Sequence, residues 1–290
     1  MHQVLDRLAN AYPTLSTQLR QAAKFVLDHP NEVAINSMRK LAKAADVAPS
    51  SMLRLAKALE FENYEGFRKP FREAARNHEG GFGDRARGLQ ESSAGGGSDQ
   101  LLSAMASANL INIETAFQDN TPAIFKQAAS IIRDAEKIYV IGVGGGHALA
   151  LYFHYVGKMA LKRLRLPAGQ AGSLLDDLID ISANDAALVI TFDPYTSVTV
   201  RAADFIRDKG AKLVAVTDSR ASPLVPGADA LLLTQTASPQ FFPSYTAATA
   251  VIETLLAFIV SGATSDTVKN IADMEKLRHE CGIYWSENSS

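Results

Sequence analysis

Four short apolar runs set the strongest limit on how this chain folds. Ile138–Gly142 (IYVIG), Ala187–Thr191 (ALVIT), Lys212–Thr217 (KLVAVT) and Ala230–Thr234 (ALLLT) are each bounded by turn residues. Each is separated from the next by a segment with room for a helix, as at His147–Arg163, Ser197–Lys209 and Ser244–Val260. Strands that are apolar on both faces and alternate with helices need a parallel sheet covered on both sides. Leu164–Pro167 offers one more short strand, and helices are expected at 101–117 and 121–135. Residues 101–264 therefore read as one doubly wound α/β domain.

Upstream the period is helical throughout. Val4, Leu5 and Leu8, then Leu15, Leu19, Ala22, Ala23, Val26 and Leu27, recur at three and four residues and stop at His29-Pro30. Residues 1–77 read as an all-α domain. Between the two domains, residues 78–100 are rich in glycine and serine with almost no apolar periodicity, the composition of a flexible linker. Residues 265–290 form a helical tail expected to pack on a neighbouring copy, with Trp285 as its anchor.

Within the first domain, residues 37–61 hold two short amphipathic helices broken at Asp46-Val47-Ala48-Pro49. Met38, Leu41, Ala42 and Ala45 make one apolar face; Met52, Leu53, Leu55, Ala56 and Leu59 make the other. Ser50 suits the cap of the second helix, since Pro49 cannot continue the first. The pattern fits a helix-turn-helix, and a plain helical hairpin with a solvated basic face fits it too. In the helix-turn-helix reading the start of the second helix enters the major groove of DNA. Ser50, Ser51 and Arg54 then reach base edges, with Arg54 matched to guanine, while Lys40, Lys43 and Lys57 lie near phosphates. The charge distribution agrees: residues 1–78 carry 12 Lys and Arg against 8 Asp and Glu, net +4, and the remaining 212 residues are net −6.

Composition removes several classes. At 47% hydrophobic and 21% charged, the chain is neither disordered nor collagen-like. The single cysteine, Cys281, forms no internal disulfide and supplies no metal cluster, so a reducing, cytoplasmic location, no metal and no cofactor are expected. The N-terminal residues lack a signal-peptide pattern. The longest apolar stretch, Val251–Val260, is too short to span a membrane and contains Glu253.

The candidate small-molecule site lies at the carboxyl ends of the expected strands, where open α/β sheets bind ligands. After the first strand comes Gly142-Val143-Gly144-Gly145-Gly146-His147. A strand, a glycine turn and a helix start expose N–H groups and a positive dipole end. This is no dinucleotide fingerprint, because His147 stands where the third glycine belongs. A second loop, Thr191-Phe192-Asp193-Pro194-Tyr195-Thr196, follows the next strand. Gly144, Gly145, Gly146, His147, Thr191, Asp193, Tyr195, Thr196 and Ser244 are the expected ligand-binding residues, Ser244 serving equally as a helix cap. Phe241, Phe242 and Tyr245 are aromatic candidates for the same cleft.

The run Ser37-Met38-Arg39-Lys40-Leu41-Ala42, with Ala45, Val47, Ser50, Arg54, Leu59-Glu60-Phe61 and Tyr64-Glu65-Gly66-Phe67-Arg68, resembles the N-terminal domain of RpiR-type transcriptional regulators. The resemblance continues past the linker into the sugar isomerase (SIS) domain of that family. It implies a DNA-binding helical domain, a flavodoxin-like SIS domain that senses a sugar phosphate or related sugar or polyol, and homodimers or homotetramers on operator DNA. SIS domains hold phosphate through G-x-G-x-S and S-x-S-G-x-T patterns. Here Gly146 replaces the serine of the first, and Asp193 and Pro194 replace Ser and Gly of the second, with Thr191 and Thr196 keeping hydroxyls. An aspartate beside a phosphate repels it unless a cation compensates, and His147 is the available one. The alternatives are an SIS-type isomerase, drawing on His147, His154 or Glu253, and a sugar-binding adaptor without DNA. No G-x-S-x-G, H-E-x-x-H or paired-cysteine motif supports catalysis, and no catalytic residue is assigned.

Overall fold

The computed structural model describes residues 2–79, 81–167, 169 and 172–285. The chain divides into two compact units. One comprises Met1–Ala106 with Ser219–Ala221 and Ser238–Pro243; the other comprises Ser107–Asp218, Ser222–Ala237 and Ser244–Ser290.

The first unit opens with α1 (His2–Ala11), α2 (Thr17–Asp28), α3 (Pro30–Ile35), α4 (Met38–Ala44), α5 (Pro49–Ala58) and α6 (Tyr64–Glu79). Their apolar stripes meet in one core around Leu8, Leu41, Met52, Leu55, Phe67 and Phe71. Two turns shape the α4–α5 hairpin, and both close in the same way. After α4, Val47 N–H donates to the Ala42 carbonyl (2.9 Å) and Asp46 N–H to that of Lys43 (3.2 Å), with Asp46 at φ 53°. After α5, Phe61 N–H donates to Ala56 (3.0 Å) and Glu60 N–H to Lys57 (2.9 Å), with Glu60 at φ 62°. Each is a Schellman closure with a left-handed residue just past the helix, a position that glycine fills most easily. Arg68, only 8% exposed, donates from Nε to the Val33 carbonyl and from Nη2 to that of Ala34, both at 3.0 Å, and so closes the end of α3 from α6.

One expectation is corrected here. The glycine-rich stretch 78–100 is not an unstructured linker: a helix, α7 (Phe82–Asp119), runs through most of it and is interrupted at Gly97 (φ 75°, ψ 167°). Glycine in a helix costs about 1 kcal/mol relative to alanine, so tertiary contacts must compensate. Within the first unit, the Phe82 ring packs on Phe242 with centroids 5.1 Å apart, and Arg85 Nη2 donates to the carbonyl of Gln240 at 3.0 Å. Those partners lie more than 150 residues along the chain, beyond the reach of any local pattern.

The second unit holds the end of α7, then α8 (Pro122–Asp134), β1 (Ile138–Gly142), α9 (Gly145–Gly157), β2 (Leu164–Arg165), β3 (Ala186–Ile190), α10 (Ser197–Asp208), β4 (Lys212–Thr217), β5 (Ala230–Leu233), α11 (Thr246–Ser261) and α12 (Ser265–Glu280). The sheet is parallel, in the order β2-β1-β3-β4-β5, with Ile138 opposite Ala186 and Gly142 opposite Ile190. Alternate residues feed two cores. Val140, Leu188 and Val214 pack with side chains of α8, α9 and α11, whereas Ile141, Val189 and Ala215 pack with α10 and with Leu174, Leu178 and Ile181. This is the doubly wound architecture expected from the apolar strands.

Two polar ties fix the edges of this unit. Buried Asn120 donates to the Leu233 and Ala116 carbonyls (2.6 and 2.7 Å) and accepts from Leu233 N–H (2.9 Å), joining the end of α7 to β5. Arg278 of α12 lies over the Tyr155 ring of α9 at 5.2 Å and donates to the Tyr284 hydroxyl at 3.2 Å. The tail thus has a seat on its own chain, while Trp285 is exposed. Residues 286–290 lie outside the described residues. Among the described residues, no single helix is long and apolar enough to cross a membrane.

Removing the strain of the α4–α5 turn should stabilise the helical unit. Asp46→Gly is expected to raise its unfolding free energy by about 0.5–1 kcal/mol, the left-handed penalty less the added freedom of the unfolded chain, read as slower hydrogen exchange in α5. Asn120→Ala strands buried backbone groups of Leu233 and is expected to cost about 2–3 kcal/mol in urea unfolding of the full chain.

Candidate functional site

Helix α5 sorts its residues by period. Ser51, Met52, Leu55 and Ala56 are buried in the helical core, and Ser50, Leu53, Arg54 and Lys57 are exposed at i, i+3, i+4 and i+7. Such spacing gathers one side of a helix into a continuous strip. Ser50, Arg54 and Lys57 lie where the sequence places them, and Lys40 and Lys43 are exposed on α4. Ser51 is a correction: at 2% exposure it packs inward and reaches no base. Ser50 is also not the cap of α5, which starts from Ala48 with Pro49 in its first turn. Leu53 is a second correction, since it leaves the core face and stands 36% exposed between Ser50 and Arg54. The result is a strip of hydroxyl, apolar, guanidinium and ammonium groups at the start of a helix. A B-DNA major groove about 12 Å wide admits such a helix, and an apolar side chain there can meet a thymine methyl.

In the second unit, the chain runs outward in both directions from the gap between β1 and β3, the point where open α/β sheets form a crevice. The turn from β1 into α9 is unusually tight. A Cβ on Gly142 would collide with the Gly146 carbonyl, and one on Gly146 would come 3.1 Å from the Ile190 carbonyl oxygen. Gly144 holds φ 59° and ψ −128°, a conformation for glycine. Beside this turn is a cavity of about 430 Å³, walled by Gly142, Val143, Gly144 and His147, by Val198 of α10, and by Pro167 and Leu174 with two further glycines of the β2–β3 connection. Ser173 and Asp176 cap the short turn that holds that connection: Ser173 N–H donates to Asp176 at 2.7 Å, and Asp176 N–H to Ser173 Oγ at 3.3 Å.

Of the expected ligand residues, Gly144 and His147 line this cavity. The others are placed elsewhere. Gly145 is covered by Tyr245, whose hydroxyl lies 2.7 Å from where a Gly145 Cβ would stand. Thr191 is buried, with its N–H on the Val216 carbonyl at 3.1 Å. Thr196 Oγ1 pairs with Thr199 Oγ1 at 2.7 Å. Buried Ser244 donates to Asn109 Oδ1 at 2.7 Å. Tyr195 and Asp193 converge on a residue that the sequence reading passed over, Asp218. Its carboxylate, in a residue 2% exposed, accepts from the Tyr195 hydroxyl (2.9 Å), Asp193 N–H (3.2 Å) and the Thr217 hydroxyl (3.3 Å). Burial, then the Asp218 charge, pushes the phenols of Tyr195 and Tyr245 up, so both remain protonated donors. Asp218 directly follows β4, so the strand-end rule that selected the other loops also marks it. Tyr245, one of the aromatic candidates for this cleft, reaches Gly145 across a hundred residues, a pairing that no local signal marks.

The other titratable groups considered for catalysis lie off the cavity wall. His154 is pushed down by burial and then by Lys158. Glu253 accepts from the Tyr152 hydroxyl at 2.7 Å.

Comparison with known proteins decides between a helical hairpin and a DNA reader. Residues 2–77 match the helix-turn-helix domain of the rpiR family, and residues 131–261 match the SIS domain. The chain belongs to the RpiR family of helix-turn-helix transcriptional regulators. An uncharacterized HTH-type transcriptional regulator of Caldanaerobacter subterraneus subsp. tengcongensis is 22% identical over 293 residues, covering 96% of this chain and 97% of the relative. The fold of the sugar isomerase domain of an RpiR transcription factor from Sphaerobacter thermophilus is similar (TM-score 0.57, 22% identity, 61% of this chain and 99% of that one). So is that of the Vibrio vulnificus NanR protein complexed with ManNAc-6P (TM-score 0.57, 16% identity, 96% and 98%). The helix-turn-helix domain thus carries the exposed strip of α5, and the SIS domain carries the cavity beside the turn from β1 into α9.

The turn into α9 has no room for a side chain at its first glycine. Gly142→Ala is expected to cost about 3 kcal/mol, as overpacking against backbone does, measured as a shift of the chemical unfolding midpoint.

Proposed function

We propose that this RpiR-family regulator is a cytoplasmic, homo-oligomeric sensor that binds operator DNA through α5. In this reading a sugar phosphate or a related sugar or polyol, bound in the SIS cavity, changes its DNA affinity. The observation that carries it is the joint presence of a solvent-facing basic strip on a helix-turn-helix and a cavity at the strand-order reversal of an α/β sheet. Arg54 is assigned to base readout, Ser50 and Leu53 to adjacent base contacts, and Lys40, Lys43 and Lys57 to phosphates. His147 and the backbone of Gly144 hold the ligand. The relation of NanR to ManNAc-6P supports a carbohydrate-type effector by analogy of fold.

The regulator is proposed not to be an enzyme. Sugar isomerisation needs a base and a proton donor on the substrate, and His147 is the one titratable residue on the described cavity wall. Ligand binding instead enters as a coupling free energy between two sites, typically 1–3 kcal/mol, acting on how paired subunits present their α5 helices.

Titration of the full-length protein onto DNA from upstream of its own and adjacent genes tests this. Arg54→Ala is expected to lose about 1–3 kcal/mol of specific affinity, whereas Lys57→Ala weakens all sequences alike and lowers the salt slope by about 1. Equal loss on specific and random DNA for Arg54→Ala would remove its assignment to base readout. Absence of specific binding on every fragment by the wild type would remove the operator-binding reading.

A further inference from the structure

The chemistry of the cavity wall says what kind of ligand fits it. Its side-chain surface is apolar, from Val143, Pro167, Leu174 and Val198, and its polar surface is backbone, exposed at glycines. Among the described residues lining it there is no lysine, arginine, serine or threonine, and His147 alone can carry a positive charge. Carboxylates support the far wall. Gly169 N–H donates to Asp177 Oδ2 at 2.8 Å, and a Cβ on Gly172 would collide with the Asp176 carboxylate.

A phosphate ester would bring close to two negative charges into that setting. The feature favouring an anion is the start of α9, whose dipole attracts negative charge, yet the Gly146 and His147 N–H groups there already donate to the Val143 and Gly144 carbonyls at 3.2 and 3.1 Å. That approach is partly closed, because the Tyr245 ring and hydroxyl already cover Gly145. A free sugar or polyol meets no such conflict. Its C–H faces match the valine, leucine and proline walls, and its hydroxyls match the backbone at Gly144 and the His147 imidazole. At about 430 Å³ the space suits a monosaccharide-sized molecule.

We propose that the cavity selects an uncharged, monosaccharide-sized sugar or polyol and discriminates against its phosphate ester. This rests on the sensing function proposed above and names its ligand class. The discrimination arises by omission and by charge together: the described wall residues offer no hydroxyl, and no cation other than His147, to replace the hydration of a phosphate, and carboxylates stand behind the wall.

The test is calorimetric titration of the full-length protein with matched pairs: glucose and glucose 6-phosphate, fructose and fructose 6-phosphate, ribose and ribose 5-phosphate, glucitol and glucitol 6-phosphate, N-acetylmannosamine and its 6-phosphate. Inorganic phosphate alone is titrated beside them. In at least one pair the uncharged member is expected to bind at least about tenfold more tightly than its ester, with no heat from inorganic phosphate. Val198→Trp, which fills the cavity, is expected to abolish that binding while operator binding persists. An ester binding more tightly than its parent sugar would overturn the proposal and leave the sensing function standing, as would Val198→Trp leaving binding intact. Failure of every pair, with operator binding intact, would overturn carbohydrate sensing itself and the proposal with it.

Discussion

The ligand end of the molecule depends on one close approach of backbone to backbone, between Gly142 and Gly146. A parallel strand that passes directly into a helix must reverse its course within three residues, and here the first residue of the turn lies against the first turn of α9. With any side chain at 142, the helix would have to move off the sheet. A Cβ on Gly146 would likewise crowd the Ile190 carbonyl at the end of β3, so the same turn sets how closely α9 approaches that strand. The cavity, the covered approach to Gly145 and the seat of Tyr245 therefore all follow from a turn that is made of glycine because nothing larger fits.

A comparable division of labour runs through α5. The helix is ten residues long, and half of its surface is needed to hold Met52, Leu55 and Ala56 in the core. The remaining strip is all that is available for DNA, and its composition follows from what burial leaves over. Leu53 shows the tension: an exposed leucine at the centre of a polar strip gains nothing in the free protein, and its apolar surface is useful only against another apolar surface. A thymine methyl is one. The Schellman closures that end α4 and α5 place non-glycine residues, Asp46 and Glu60, in left-handed conformations, so the orientation of α5 is held at some cost in backbone energy. Rigidity of the reading helix is what that cost secures, and it is set within the helical unit alone.

How much of this was legible in the sequence follows from the range of the interactions. The strands could be read because burial on both faces leaves an unbroken apolar run, and Ile138–Gly142 and Lys212–Thr217 have the bounds that the runs suggested. The α4–α5 hairpin could be read because its periods are local. Residue type alone points Ser51 outward and Leu53 inward; the helical phase, which puts 51 with 52 and 55 and puts 53 with 50 and 57, decides their burial. The 78–100 stretch was misread because its helix is held at Phe82 and Arg85 by residues 238–242. At the candidate site, the strand-end rule points to the loops, yet in the structure Gly145, Tyr195 and Thr196 are engaged by Tyr245, Asp218 and Thr199. The Gly145–Tyr245 and Tyr195–Asp218 pairings join distant segments, and only the fold shows them; Thr196 and Thr199 are one helical turn apart.

That the loops are engaged internally bears on how an SIS unit can change its ligand without changing its sheet. A site that binds a phosphate needs several donors converging on one point, each of them held away from competing acceptors. Placing Asp218 under the second loop reverses this, because a buried carboxylate collects the nearby donors for itself: the Tyr195 hydroxyl, the Asp193 amide and the Thr217 hydroxyl all point to it. Donors already held by one carboxyl group are not open to a ligand, so an incoming ligand would have to outcompete Asp218 for them. The same backbone that could cradle an anion is then committed to a resident one, and recognition shifts to what the neighbouring wall offers: apolar surface, glycine backbone and one imidazole. A few side chains on loops at the strand ends suffice for that change, since the sheet and helices that position them are fixed by burial and are indifferent to the chemistry above them.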